Sequence, residues 1–367
     1  MNEVLFNDFI RLNRGFDLPN QSIVPGHYPI VASSTIKDFH KNFKVVAPGV
    51  VTGRSGSLGT VQFVRQDFWP LNTSLYVKNF RGNDPLFVSY FLRAMHLENF
   101  NSGAGVPTLN QNHLQRLRVR IPSKVLQIKI AAILSAYDDL IANNQDRITL
   151  LERMAEDIYR EWFVRLRFPG HENVKIEKGV PQGWVQRRFG EFCVLKRGYD
   201  LPDADIELGP YPVIASTSIK AHHKAFKVLP PVVTTGRSGS LGDVLYTNAK
   251  AWPLNTALYV RDFCGNSPFL IYYTLKNMGL EHFNAGAGVP SLNRNHLNAI
   301  SIAVPPSGVQ KSFDAKLAPI FDLKEQLEMQ ISLLKSTRDA LLPRLISGKL
   351  SLDALGIRFP PGMTPAS

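Results

Sequence analysis

Residues 123–165 read SKVLQIKIAAILSAYDDLIANNQDRITLLERMAEDIYREWFVR. Pro122 closes what comes before, Ser123 suits an N-cap, and the stretch contains neither Gly nor Pro. Apolar side chains recur at Ile130, Leu134, Tyr137, Ile141, Ile148, Leu151, Ile158 and Trp162, with Asn144 and Ala155 filling the two gaps. Steps alternating between four and three residues make a heptad seam, the pattern of a helix packed along another helix. At the helical rise such a rod is roughly 60 Å long. It cannot bury its stripe against itself, so a partner helix is required.

The same chain supplies one. From Ser307 to about Leu342 the seam returns at Phe313, Leu317, Ile320, Leu327, Ile331, Leu334 and Leu341, with Lys324 and Arg338 as polar interruptions. Pro319 is expected to kink this helix near its start, because proline removes a helical hydrogen bond. Two unrelated amphipathic helices on separate cores are the alternative, and what precedes each helix argues against it.

Arg14-Gly-Phe-Asp-Leu-Pro19 returns as Arg197-Gly-Tyr-Asp-Leu-Pro202, and Tyr28-Pro29 as Tyr211-Pro212. Thr52-Gly-Arg-Ser-Gly-Ser-Leu-Gly59 returns letter for letter as 235–242, and Trp69-Pro-Leu-Asn-Thr73 as 252–256. Gly103-Ala-Gly-Val-Pro107 returns as 286–290, and Asn112-His113-Leu114 as 295–297. Gly53 answers to Gly236, His113 to His296 and Gln127 to Gln310, a constant displacement of 183. A repeat of this kind is one structural unit used twice. The helices exit to similar tails, Arg167-Phe-Pro-Gly170 and Arg358-Phe-Pro-Pro-Gly362. The chain therefore divides into a domain (1–122), a long helix (123–167), a loop with a second domain (168–306), a second long helix (307–348) and a tail (349–367), with 360–367 reading as loose.

Within each domain the signals are short β-rich runs bounded by Gly, Pro and Asn: Tyr28–Ala32, Gly49–Thr52, Thr60–Val64 and Ser74–Val77. Pro85–Leu97 has helical spacing, and Leu114–Ile121 alternates like a last strand. The expected class is α+β: two similar domains, each with a twisted sheet, joined by two long helices.

Length fits two or three domains. A net charge of +12 and a pI near 9.7 point to a polyanionic partner, nucleic acid before membrane surface. No apolar run reaches the ~20 residues of a spanning helix. Residues 1–9 lack the basic and apolar regions of a secretory signal. Cys193 and Cys264 have no metal or redox spacing, so a reduced, cytoplasmic protein is expected.

The Thr52–Gly59 loop and its copy carry the strongest local signal. Glycines allow close backbone approach to a ligand. Thr52, Ser55 and Ser57 offer hydroxyls, as do Thr235, Ser238 and Ser240. Arg54 and Arg237 can fork onto phosphate or a guanine edge. The loop is neither a Walker loop nor a dinucleotide fingerprint, and a tight turn between strands is the competing reading. Lys37, His40, Lys41 and Lys44, copied as Lys220, His223, Lys224 and Lys227, form a basic patch beside Phe39 and Phe43. They suit phosphate contact, or a solvated face. Asn110 and Asn112, copied as Asn293 and Asn295, precede His113 and can read adenine, although such a loop more often sets backbone geometry. Trp69–Thr73 reads as core and turn. Asn144 on the seam can fix helix register, or be a tolerated edge position. There is no Asn/Asp-Pro-Pro-aromatic methyltransferase motif, no metal-ligand cluster and no catalytic triad. Catalysis by this chain alone is not expected.

The ordered set, present twice, resembles the DNA specificity subunit of type I restriction–modification systems. It comprises the Thr-Gly-Arg-Ser-Gly-Ser-Leu-Gly loop, Trp-Pro-Leu-Asn-Thr, Gly-Ala-Gly-Val-Pro, and a Pro lead into a helix containing Gln127 or Gln310. Trp162-Phe163 and Leu341-Leu-Pro-Arg-Leu-Ile-Ser-Gly348 add to it. The resemblance covers essentially the whole chain. It implies two target recognition domains, each reading half of a bipartite site in double-stranded DNA, and two long antiparallel helices forming a coiled coil between them. It also implies two methylation subunits that carry S-adenosylmethionine and methylate adenine N6. Restriction subunits would use ATP and Mg, and this chain would bind no cofactor. In that family the two domains usually differ. Here they are near copies, and antiparallel helices would relate them by a pseudo-twofold axis. Twofold protein symmetry predicts inverted-repeat DNA, with half-sites roughly 34 Å apart. Asp38 against Ala221, Phe39 against His222 and Thr60 against Asp243 are differences that could make the halves unequal. A stand-alone DNA-binding adaptor and a coiled-coil scaffold are the competing classes.

Overall fold

A computed structural model describes residues 1–352 except 104, 287 and 289, together with 356 and 359. The expected loose tail at 360–367, and parts of the two Gly-Ala-Gly-Val-Pro loops, lie outside the described residues. The chain forms two compact units, and the cut falls inside both long helices. One unit holds 1–145 with 328–367; the other holds 146–327.

Among the described residues the first unit contains three small sheets rather than the single one expected. Asn2–Leu5 pairs antiparallel with Arg118–Ile121. A four-stranded antiparallel sheet runs in the order Arg11–Arg14, Ser74–Asn79, Gly49–Gly53, Val61–Val64. A three-stranded sheet has Tyr28–Val31 between Ile36–His40 and Trp69–Pro70, the last pair parallel. Splitting the sheet lets each face find its own apolar cover. Val50 and Leu75 pack with Phe87 and Phe91 of the helix Pro85–Ala94, whereas Val51 and Tyr76 pack with Val31 and Phe68. That helix starts where Asp84 accepts the Phe87 N–H and Pro85 fills the first turn. The alternation at 114–121 does not make one strand. Asn110 caps a short helix, Gln111–Gln115, and only Arg118–Ile121 is extended, because Asn2–Leu5 offers it a partner over those residues alone.

The second unit repeats this scheme. Val185–Arg188 pairs with Ser301–Val304, and the four-stranded order is Val194–Arg197, Ala257–Asp262, Val232–Gly236, Val244–Thr247. Tyr211–Ile214 lies between Ile219–His223 and Trp252–Pro253, and the matching helix is Pro268–Asn277.

The long helices are Lys124–Tyr159, which ends in a π turn at Arg160–Val164, and Ser307–Ile346. The second runs through Pro319 and Pro343 without interruption. In the first unit its C-terminal half lies antiparallel to the N-terminal half of the other: Asn144 Nδ2 donates to Gln330 Oε1 at 3.2 Å, and Arg338 pairs with Asp138. In the second unit the remaining halves pair, with Lys324 Nζ 2.7 Å from Glu152 Oε1 and Phe313 against Trp162 and Tyr159. The seam positions Ile130, Leu134, Asn144, Ile148, Ala155 and Trp162 are all buried. Lys324 and Arg338 are therefore matched polar positions rather than defects in the seam.

Gln127 enters the first long helix fully buried. Its Oε1 accepts the Asp84 N–H at 3.0 Å, and its Nε2 donates to Asn83 Oδ1 at 2.7 Å and Pro122 O at 3.0 Å. Gln310 makes the same three bonds to Ser267, Asn266 and Pro305. One amide thus fixes helix, domain helix and preceding turn in each unit.

Candidate nucleic-acid interface

Four loops of the first unit meet at Arg54. The Arg54 and Ser55 N–H groups donate to Thr73 O at 2.9 and 3.1 Å, Gly56 N donates to Pro107 O, and Leu109 N returns to Arg54 O. Ser33 Oγ reaches in from the Val31–Ile36 turn to Ser55 O at 3.1 Å and Thr73 O at 3.4 Å. The arrangement recurs in the second unit: Arg237 and Ser238 donate to Thr256 O, Gly239 to Pro290 O and Leu292 to Arg237 O, and Ser216 Oγ donates to Ser238 O at 2.8 Å. The loop glycines are needed here. A Cβ at Gly53 would strike Ser57 O, and Gly56 has φ +84°.

The arginines are aimed, not loose. Arg237 Nε donates to Asn255 O at 2.8 Å, and Arg54 Nη1 approaches Asn72 O at 3.4 Å. The Asn72 and Asn255 amides are in turn held by Asp17 and Asp200, which also face Arg14 and Arg197 at 3.8 and 3.7 Å. In the second unit Arg197, Arg237 and Arg294 line one open groove of about 410 Å³ with Ser291 and Asn293. Three guanidiniums and a hydroxyl in one groove suit a phosphate or a base edge. The sequence reading missed Ser33, Ser216, Arg14, Arg197 and Arg294. The first four lie in the repeat, which was the available signal; Arg294 stands where the first domain has Gln111.

The expected contact residues separate into groups. Arg54, Ser55, Arg237 and Ser238 are half-buried at the loop junction, while Ser57 and Ser240 are exposed. Lys37, Lys41, Lys220 and Lys224 are exposed on the Ile36–His40 and Ile219–His223 hairpins. Asn112 and Asn295 are exposed, but Asn110 and Asn293 spend their side chains as helix caps, accepting the N–H groups of Asn112 and Asn295 at 3.0 Å. Two expected pairs are corrected. Thr52 and Thr235 are 0% and 1% exposed in central strands, so their hydroxyls reach no ligand. His40 and His223 are also buried; each Nδ1 accepts a backbone N–H, from Val24 and Glu207, at 3.0 Å, and each ring stands edge-on to Trp69 or Trp252. They hold the hairpin down. Lys44 and Lys227 lie over the same indoles at 4.9 and 4.7 Å. Trp69 and Leu71 are core, and Thr73 gives its carbonyl to the Arg54 loop.

Among the described residues no group of three or more His, Cys, Asp or Glu side chains gathers to hold a metal, and no helix is long and apolar enough to cross a membrane.

Residues 5–153 and 181–333 match the family described as type I restriction modification DNA specificity domain. The type I restriction enzyme MjaIX specificity subunit of Methanocaldococcus jannaschii is 24% identical over 321 residues, covering 78% of this chain and 74% of that protein. The EcoprrI specificity subunit of Escherichia coli is 31% identical over 114 residues, 31% of this chain and 28% of that one. Among solved structures, the S subunit of a type I restriction-modification system from M. genitalium has the same fold, with a TM-score of 0.60 at 15% identity over 94% of this chain and 96% of that one.

Proposed function

From a chain that belongs to the type I restriction modification DNA specificity family, and so serves DNA sequence recognition in a restriction-modification complex, we propose a reader of two nearly inverted half-sites. Residues 1–122 and 168–306 each take one half. The observation carrying this reading is the recurrence of the backbone bonds of the Arg54 junction at Arg237, in a second unit that uses the opposite ends of the same two helices. One recognition unit used twice suits two like half-sites, and a reader that met them with twofold symmetry would select inverted-repeat DNA. Arg54 and Arg237, with Ser55, Ser57, Ser238 and Ser240 around them, are the base or phosphate contacts; Asn112 and Asn295 flank them.

This chain supplies recognition and no chemistry. Two methylation subunits bring S-adenosylmethionine and modify adenine N6, and restriction subunits bring ATP and Mg. Modified-base sequencing of DNA from cells carrying the chain and its methylation partner tests the reading. A methylated motif with inverted-repeat halves that vanishes on deletion is expected. Two unrelated half-sites would remove the symmetry argument, and an unchanged methylome with an active partner would return the adaptor class.

A further inference from the structure

The two hairpins carry the same lysines but different surroundings. Residues 20–44 hold Lys37, Lys41 and Lys44 against one carboxylate, Asp38, for a net +2. Residues 203–227 hold Lys220, Lys224 and Lys227 against Asp203, Asp205 and Glu207, for a net zero; the matching positions in the first domain are Asn20, Ser22 and Val24. The contacts follow the charges. Lys220 pairs with Asp203, and Lys224 Nζ lies 2.6 Å from Glu207 Oε2, holding that carboxyl below the usual carboxylate range. In the first domain Lys37 donates to the neutral Asn20 Oδ1 at 2.6 Å, and Lys41 makes no ion pair among the described residues. Asp38 Oδ1 accepts the Phe39 N–H. The third lysines, Lys44 and Lys227, sit alike on their indoles and serve as an internal control.

We propose that the hairpin of the first domain is a DNA phosphate-contact surface through Lys37 and Lys41, and that Asp203 and Glu207 switch the same surface off in the second domain. The inference rests on the DNA-reading function above and breaks its symmetry. Exposed ion pairs are weak, so the pairing itself is easily undone. The carboxylates remain, however, and a phosphate approaching Lys220 or Lys224 meets Asp203 or Glu207 within ion-pair distance. Counterions leave DNA only where net positive charge arrives, so the first hairpin releases them and the second does not. The two half-sites then contribute unequally to backbone affinity while the Arg54 and Arg237 junctions remain matched.

The test is the salt dependence of specific DNA binding by the full chain assembled with its methylation subunits. Each neutralised phosphate makes the slope of log Kobs against log salt more negative by about 0.9. Lys37→Gln with Lys41→Gln should flatten the slope by about 1.8. Lys220→Gln with Lys224→Gln should leave it unchanged, and Asp203→Asn with Glu207→Gln should steepen it by about 1.8. Equal effects from both lysine pairs, or no effect from Lys37 and Lys41, would overturn the inference and leave DNA reading intact. A wild-type complex with no sequence-selective binding would overturn both.

Discussion

Gln127 and Gln310 show at single-residue scale how the fold specifies itself. Each buried amide satisfies a backbone N–H, a backbone carbonyl and the side-chain oxygen of an Asn. Gln127→Leu keeps the volume but strands those partners in the core, a loss of about 2–4 kcal/mol from several unmade buried bonds. Urea unfolding of the full chain should show it, and Gln310→Leu should cost a similar amount. A loss below about 0.5 kcal/mol at either would mean that water replaces the amide. The repeat made these glutamines visible in the sequence, but not their role, because their partners lie 43 and 44 residues away. The same limit explains the misplaced residues. Thr52 could have been read as core from its Val-Val neighbours in a short strand, whereas the burial of His40 depends on Val24 and Trp69, which no local pattern brings together.

The long helices are the element most legible in the sequence, since a heptad seam fixes both helix and partner. What the seam did not reveal is how differently the two units grip them. In the first, Asp138 receives the Tyr90 hydroxyl at 2.6 Å, Arg93 at 3.3 Å and Arg338 from the other helix. In the second, the matching position is Phe321, packed on Tyr246, Phe269 and Tyr272. Burial alone would raise the Asp138 carboxyl, but Tyr90, Arg338 and Arg93 together hold it below the usual range. A carboxylate depressed in the folded state adds stability above its unfolded value near pH 4, and loses it as pH falls through the folded value. Asp138→Asn should therefore cost about 2 kcal/mol at neutral pH, for hydrogen bonds to a charged group that is about a third exposed. The difference from wild type should shrink as unfolding is measured at progressively lower pH below 4. A difference that stayed constant with pH would assign the cost to packing rather than charge.

At the scale of the whole molecule, duplication makes each domain a control for the other. The sequence disclosed the duplication, the helices and most strands, because all three are periodic or repeated. It did not disclose that the sheet divides in three, since pairing between strands is set by which residues share a core. If two matched junctions read inverted halves, Arg54→Ala and Arg237→Ala should each relax specificity at one base pair, and those two positions should be mirror-related about the centre of the site. Each loss should be about 1–3 kcal/mol and confined to its own position if the guanidinium holds a guanine edge. It should instead weaken binding to all sequences if the guanidinium holds phosphate. Competition binding against a library with every base pair of the site varied separates these outcomes. Relaxation at unrelated positions would show that the two domains, though built on one pattern, approach DNA differently. The Asp203 and Glu207 asymmetry bears on this directly: a hairpin that contacts phosphate in one half only can turn one junction on its half-site while the other keeps its place. Mirror-related relaxation with unequal salt slopes would therefore show that base reading keeps the symmetry of the repeat while backbone contact has departed from it.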